Sequence, residues 1–149
     1  MTIAGGNYYK IENKINKKGG IKMIVVTDHQ LKMQMLAREI YDWCQKNDVW
    51  SDIIMYFNGK AWTNLRDWNT VKGKKIDDEL YEYEGKNPKA YFEYANPETF
   101  SMSFEGPLYV ILNGYSGDWK MQEDFENIFN RYGYYYELGH AWNLAAYEL

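Results

Sequence analysis

A single cysteine and two histidines are the side chains best suited to nucleophilic or proton-transfer chemistry in this chain. Cys44 stands one helical turn after Ile40 and two turns after Leu36, on the apolar stripe of a predicted helix. A thiol buried there has a raised pKa and low reactivity, so we interpret Cys44 as structural rather than nucleophilic.

The two histidines have different surroundings. His29 falls in the first turn of a predicted helix, where the helix dipole disfavours its protonation, and we interpret it as solvated. His140 follows Gly139 in a predicted turn, three residues after Glu137, so its imidazole and that carboxylate could share a proton. We favour a structural role for His140 in this turn, because a catalytic site needs several side chains that converge on one point. A hydrolase or transferase that uses His140 with a carboxylate is kept as an alternative.

Sequence motifs for catalysis and cofactor binding are absent. The chain has no phosphate-binding loop, nucleophile elbow, zinc signature or dinucleotide fingerprint. We therefore predict no catalytic residue, cofactor or metal, and favour a protein that is not an enzyme. The abundant carboxylates could be combined into an acid/base pair or a cation site, but spacing alone gives no support for such a pair.

Negative charge is concentrated between Asp77 and Glu105, where eight carboxylates stand against Lys86 and Lys89. Tyrosines are interleaved with these carboxylates. The carboxylates could imitate the phosphates of a nucleic acid, and the tyrosine rings could occupy pockets of a partner. We predict a protein-binding surface formed by Asp77, Asp78, Glu82, Glu84, Tyr91 and Glu93. The alternative is a solvated hairpin face above an aromatic core.

Aromatic residues make up 18% of the chain, and such a surplus is either packed or used for recognition. Trp50, Trp68 and Trp119 fall in predicted loops, and we expect most of the six tryptophans to fold back onto a small core. An aromatic pocket near Trp62, Trp119 and Trp142, binding a small molecule or a nucleotide, is an alternative function.

The elements that must position these side chains begin with a capping box at residues 27–30, Thr-Asp-His-Gln. It predicts the start of a long amphipathic helix that runs to about Asn47. Next, residues 53–57 and 60–64 flank Asn58-Gly59, a pair that favours a type I′ turn. These two segments therefore predict a β-hairpin.

A second hairpin is predicted with residues 85–88 as its loop. In that pairing, Tyr81 and Tyr83 lie on one face of the hairpin, which is aromatic and buried. Glu82 and Glu84 lie on the other face, which is acidic.

The last third of the chain alternates helix and strand signals. Residues 99–104 predict a strand, and Pro107 opens a short helix that Gly114 follows. Asp118 then caps a helix that stops at Gly133.

Two final segments complete the predicted fold. Residues 134–137 and 141–147 are interpreted as a closing hairpin, although the second segment could be helical. Strands grouped between helices predict an α+β fold, in which a single domain packs an antiparallel sheet of hairpins against about three helices. One helix is long and N-terminal, and two shorter helices come late in the chain.

Residues 17–23 read Lys-Lys-Gly-Gly-Ile-Lys-Met, which reverse translation allows as a bacterial ribosome-binding site, a spacer and a start codon. We therefore expect the native protein to begin at Met23, with residues 1–22 as a translated leader; a flexible basic tail is the alternative. Residues 23–149, the single domain, then hold twenty acidic and twelve basic side chains, a net charge of −8. Such a charge disfavours direct nucleic-acid binding, because phosphates need Lys and Arg.

Composition gives the remaining expectations. No segment has the apolar length of a membrane helix or of a secretory signal, so we expect a cytoplasmic protein without membrane contact. The excess of Lys over Arg, with many Asn, Ile and Tyr, is typical of an A/T-rich genome, and we hypothesise a phage or mobile element of a low-G+C Gram-positive bacterium.

These observations combine into one functional prediction. We predict a small acidic binding protein that inhibits a nucleic-acid-handling defence enzyme of the host through an acidic aromatic surface. A protein partner is expected, and an exposed strand edge could also pair two copies as a homodimer.

Overall fold

The computed structural model describes the backbone of residues 2–3, 7–15 and 21–149, and the side chains from Val26 onwards. Its strands are β1 (Thr2–Ile3), β2 (Asn7–Ile15), β3 (Ile21–Thr27), β4 (Ile53–Phe57), β5 (Lys60–Thr63), β6 (Asp67–Trp68), β7 (Val71–Lys72), β8 (Lys74–Asp77), β9 (Leu80–Glu84), β10 (Phe100–Phe104), β11 (Tyr134–Leu138) and β12 (Asn143–Glu148). Its helices are α1 (Asp28–Lys46), α2 (Pro107–Leu112) and α3 (Trp119–Arg131). The predicted α+β class is confirmed, with one helix early and two late.

A seven-stranded antiparallel sheet forms the centre of the molecule, in the order β11-β12-β10-β4-β5-β9-β8. Three hairpins, β4–β5, β8–β9 and β11–β12, supply six of its strands, and β10 joins them by pairing with both β4 and β12. The closing hairpin is thereby confirmed, and its second segment is a strand. In antiparallel sheets, residues directly opposite each other point to the same face, so the register assigns each side chain to a face.

The three helices cover one face of this sheet, here called the helix face. On α1, Leu36, Ile40 and Cys44 are fully buried at helical spacing, and on α3 Phe125 and Phe129 are fully buried. The predicted apolar stripe of α1 is therefore part of the hydrophobic core, and Cys44 is buried within that core. None of the described helices has the length and apolar character needed to cross a membrane.

The ends of the elements follow the predicted local signals. Thr27 Oγ1 accepts from the Gln30 N–H at 3.1 Å while Gln30 Oε1 accepts from the Thr27 N–H at 3.0 Å, which completes the capping box. Asn58 and Gly59 have φ values of 53° and 72°, as a type I′ turn requires. The carboxylate of Asp118 accepts from the Met121 N–H at 3.1 Å and caps α3.

The opposite side of the sheet, here called the aromatic face, is covered by rings and loops instead of helices. Its buried members are Tyr56, Ala61, Trp68, Tyr83, Phe92 and Ala95. Trp68 comes from the β6–β7 ribbon, and Phe92 comes from the segment 85–97 that follows β9. The two faces of the sheet are therefore buried by different means.

The second predicted hairpin is wrong. Strand β9 pairs with β5 and β8, and the chain after it does not return as a strand. The reason is local: the Asn87 side chain accepts from the Lys89 N–H at 2.9 Å, and Pro88 opens a 3₁₀ turn over Pro88–Ala90. Tyr83 is buried as expected, but Glu82 lies on the helix face rather than on a solvated acidic side.

The N-terminal segment contributes a separate antiparallel sheet in the order β1-β2-β3. Strand β2 pairs with β3 from Tyr9 opposite Thr27 to Ile15 opposite Ile21. Strand β3 ends at Thr27, and α1 begins at the next residue. Strands β1 and β2 lie in the segment for which a leader or a flexible tail is expected. The start at Met23 stays a prediction, and residues 1, 4–6 and 16–20 of that segment lie outside the described residues.

Candidate functional site

The residues predicted for protein binding occupy three different places. Asp77 and Glu82 lie on the helix face, close to α1, whereas Tyr91 and Glu93 belong to the segment 85–97 on the aromatic face. The other two are at the ends of β9: Asp78 in the turn before it and Glu84 as its last residue. The sheet therefore separates Asp77 and Glu82 from Tyr91 and Glu93.

Asp77 forms an ion pair with Arg38 of α1. A bulge in β8 explains this position: Lys75 is opposite Tyr81 but Asp77 is opposite Leu80, so Asp77 turns to the helix face that Leu80 occupies. The N–H of Asp78, followed by the Arg38 guanidinium, holds the pKa of Asp77 below its usual value.

The Glu82 side chain lies between β5 and α1 and is mostly buried. One of its carboxylate oxygens accepts from Trp62 Nε1 at 2.9 Å and from Lys60 Nζ at 3.0 Å. Burial opposes ionisation of Glu82, but these two hydrogen bonds and the charge of Lys60 outweigh it and lower its pKa. Glu82 is thus an ionised carboxylate with its own cation beside it.

A cleft of about 480 Å³ opens beside Glu82, between α1 and the strands β5, β9 and β8. Its apolar lining comes from Val26, Leu31, Met35, Trp62 and Ile76. Its polar lining comes from Gln34, Arg38, Lys60, Lys74 and Glu82. Sequence reasoning missed this cleft, because its cations come from α1, β5 and β8, and only the strand register and the packing of α1 on the sheet bring them together.

The aromatic face carries a continuous series of ring contacts, here called the aromatic ladder. Tyr91 stacks on Tyr56 with 5.5 Å between ring centroids and leans on Trp68 at 5.3 Å. The series continues from Tyr56 to Phe92, Trp142, His140 and Tyr94, at centroid distances of 5.8, 5.9, 5.7 and 5.3 Å. Burial raises the pKa of the Tyr56 hydroxyl, so this group at the inner end of the ladder stays neutral.

Two tyrosines of the ladder reach solvent. Tyr91 is 41% exposed and Tyr94 is 50% exposed. The carboxylate of Glu93, the preceding residue, raises the pKa of the Tyr94 hydroxyl. Lys89 Nζ donates to the Glu93 carbonyl at 2.8 Å and holds that backbone. Tyr91, Glu93 and Tyr94 therefore present two rings and a carboxylate from one short segment.

His140 lies at the outer end of the ladder. Its ring is stacked on Trp142 with 8° between the planes, and its backbone N–H donates to Asn143 Oδ1 at 3.1 Å. These contacts agree with a turn-filling role. Within the described side chains, the ring contacts of His140 are with Tyr94 and Trp142 rather than with the carboxylate of Glu137.

The tryptophans do not form the common pocket considered in the alternative function. Trp62 lines the cleft on the helix face, Trp142 belongs to the aromatic ladder, and Trp119 is 69% exposed at the start of α3. Trp50, Trp62 and Trp68 are buried, and Trp43 and Trp142 are partly buried against the core clusters, so the expectation that most of the six tryptophans fold back is confirmed.

The remaining candidate residues form no metal or catalytic site in the part of the chain that the structure describes. No group of three His, Cys, Asp or Glu side chains there could hold a metal ion. Burial raises the pKa of the Cys44 thiol. His29 is exposed, as expected, and its Nε2 donates to the Glu98 carbonyl at 2.9 Å.

Comparisons with known proteins supply no relative. No family model matches the chain, and neither a curated protein nor a solved structure does so.

Proposed function

We propose that this protein acts by binding a partner protein with a basic surface, and that the aromatic ladder around Tyr91, Glu93 and Tyr94 is the contact surface. The observation that carries this proposal is the exposure of two tyrosine rings whose inner sides rest on other rings. Tyrosines of this kind are frequent hot spots in protein interfaces, because they offer a large contact area.

The neighbours of the two exposed tyrosines restrict the motion of their rings. Tyr91 is held by Tyr56 and Trp68, and the Tyr94 ring packs against the ring of His140. Fixing a side chain on binding costs roughly 0.5–1.5 kcal/mol. Side chains that are already fixed avoid much of this cost, so the ladder is prepared for contact.

Charge indicates the chemistry of the partner. The chain has a net charge of −4, and Glu93 stands between the two exposed tyrosines. An Arg or Lys of a partner could pair with Glu93 and lie over a tyrosine ring. A nucleic-acid-handling enzyme has such a basic surface, so the proposed role is inhibition of a host enzyme of this class by a protein of a phage or mobile element.

Within this proposal the predicted residues contribute unequally. Tyr91 and Glu93 lie on the contact surface, and the exposed Glu84 and Asp78 add to the negative field that attracts a basic partner. Asp77 and Glu82 contribute less, because Arg38 and Lys60 pair with them.

The test is affinity capture with the full chain as bait in lysate of a low-G+C Gram-positive bacterium, at low and at elevated salt. We expect one basic protein to be recovered at low salt by the unchanged chain and by Tyr115→Ala. Tyr115 is 73% exposed before α3 and is a matched control for an exposed tyrosine.

The discriminating variants are Tyr91→Ala and Glu93→Lys. Each should lose the captured protein while keeping the circular dichroism spectrum of the unchanged chain, because both side chains are exposed. Equal recovery by all four baits would contradict the proposed surface. Recovery of no protein by the folded, unchanged chain would contradict the proposed function.

A further inference from the structure

The cleft between α1 and the strands β5, β9 and β8 is on the helix face, away from the aromatic ladder. We propose that this cleft binds a small organic anion with an apolar body, of the class of medium-chain carboxylates. This site is independent of the proposed protein-binding function, because the central sheet separates the two surfaces.

The size and walls of the cleft suit a small amphiphilic molecule. Its volume of about 480 Å³ falls in the range of roughly 300–1,000 Å³ that is typical of small-molecule sites. Leu31 and Ile76 line its sides, and Met35 is 57% exposed at its rim. Methionine is flexible and adapts to apolar groups of different shapes. The walls therefore accept an aliphatic body.

The charges of the cleft select an anion. Among the described side chains, Arg38 is paired with Asp77 and Asp42, neither of which lines the cleft. Lys60 and Lys74 then face the single lining carboxylate of Glu82, which leaves one positive charge in excess beside it. The chain as a whole is negative, with a net charge of −4. A local excess of cations in an acidic protein attracts one anionic group, and a single excess charge favours a monoanion over a doubly charged phosphate.

The position of the cations identifies where the anionic group binds. Lys74 is directly opposite Glu82 in the β8–β9 ladder, so its side chain points to the helix face beside that carboxylate. Lys60 Nζ gives one hydrogen bond to Glu82 and, as an ammonium group, has further donors. A ligand carboxylate between Lys60 and Lys74 would receive charge-assisted hydrogen bonds from both.

Packing alone does not account for the charged floor of the cleft. The side chains of Lys60 and Glu82 are only 16% and 15% exposed. A buried ion pair is commonly no more stabilising than a well-packed apolar pair of the same volume. In a binding site the pair has a use, because fixed charges on the floor of a cleft orient a ligand.

Aromatic stacking is not part of the proposed recognition. Trp62 lines the cleft but is only 4% exposed, and its ring is in contact with Phe57 and Lys60. A ligand therefore meets aliphatic groups on the walls and charged groups on the floor. This arrangement favours an aliphatic carboxylate over a nucleotide base.

The test is isothermal titration calorimetry of the full chain with octanoate, octanol and octylamine as probes. These three molecules share an eight-carbon skeleton and differ in the charge of their head group. We expect octanoate to bind at one site, octanol to bind at least about tenfold more weakly, and octylamine to bind more weakly still. Equal binding of octanoate and octanol, or no binding of octanoate, would overturn the proposal.

Two pairs of variants locate the site. Lys74→Gln should weaken octanoate binding by about tenfold, whereas Lys75→Gln should leave it unchanged. Lys75 is the next residue on β8 and lies opposite Tyr81, on the aromatic face. Unchanged binding by Lys74→Gln would overturn the assignment to this cleft.

The second pair uses the rim. Met35→Glu places a negative charge there and should also weaken octanoate binding, while Met35→Gln, its neutral match, should bind nearly as well as the unchanged chain. Both substitutions are at an exposed position, so folding is retained and the result stays informative if a change at Lys74 disturbs the edge strand. Equal binding by these two variants would contradict the site.

Discussion

Trp62 Nε1 and Lys60 Nζ donate to the same carboxylate oxygen of Glu82, at 2.9 and 3.0 Å. Trp62 lies directly opposite Glu82 in the β5–β9 ladder, and Lys60 lies two residues before Trp62 on the same face. A single register thus brings an indole, an ammonium and a carboxylate together. Because both charged side chains are mostly buried, the stability of this part of the sheet depends on keeping the two charges together.

Breaking this ion pair should destabilise the protein more than replacing it. Lys60→Met should lower the free energy of unfolding by ~2 kcal/mol, because it leaves the Glu82 carboxylate enclosed without its cation. Lys60→Met combined with Glu82→Gln should return the value to within about 1 kcal/mol of the unchanged protein, because the charge is removed while an amide oxygen still accepts from Trp62 Nε1. Urea unfolding followed by circular dichroism checks both values. A double variant as unstable as the single one would show that packing, and not charge, is responsible.

The same pair should make stability depend on acid pH. The pKa of Glu82 is lowered in the folded protein, so its contribution is present above its unfolded pKa of about 4.3 and is lost as the pH falls through the folded value. The unfolding free energy of the unchanged protein should therefore fall more steeply below about pH 4 than that of the Lys60→Met/Glu82→Gln variant. Urea unfolding at neutral and acid pH measures this difference. Parallel curves for the two proteins would contradict it.

Local sequence signals predicted most of the elements because each signal is a short-range interaction. The capping box at Thr27, the turn at Asn58-Gly59 and the cap at Asp118 are formed by neighbouring residues, and all three are found in the structure. The partner of β9 was not predictable in this way. The true β8–β9 turn has Glu79 at a φ of 51°, and an Asp-Glu pair gives no recognisable turn signal.

The candidate sites depended on contacts between distant parts of the chain. Alternation along β9 correctly predicted that Tyr83 is buried, but it could not say which face carries the helices. Glu82 was therefore expected in solvent, although it lies beside Lys60. Likewise, nothing in the local sequence indicates that Arg38 of α1 meets Asp77 of β8, thirty-nine residues later.

The thiol of Cys44 should react only when the protein opens. Cys44 is fully buried on α1, and burial raises its pKa, so the reactive thiolate is scarce and enclosed. We expect a thiol reagent such as dithionitrobenzoate to modify folded protein at a rate that tracks unfolding as urea is added. The control is the same reaction in denaturing urea, where Cys44 should react fully. Rapid modification of the folded protein would contradict the structural role of this cysteine.

Thr70→Gly should stabilise the β6–β7 ribbon. Asn69 and Thr70 form its two-residue turn with φ values of 51° and 65°. A β-branched residue is strained in this left-handed region, at a cost of roughly 1–2 kcal/mol, and glycine is not. The substitution creates the Asn-Gly pair that the β4–β5 hairpin already uses. It also removes a 2.6 Å bond from the Thr70 hydroxyl to the Asn69 carbonyl, so the net gain should be about 0.5–1 kcal/mol.

Amide hydrogen exchange across β6 and β7 and the midpoint of urea unfolding measure this gain. The matched control is Gly59→Thr, which places the strained residue in the other type I′ turn, where glycine has a φ of 72°. That variant should lose ~1 kcal/mol or more. If Thr70→Gly speeds exchange in the ribbon instead, the hydrogen bond of the Thr70 hydroxyl outweighs the backbone strain. The threonine side chain would then stabilise the turn.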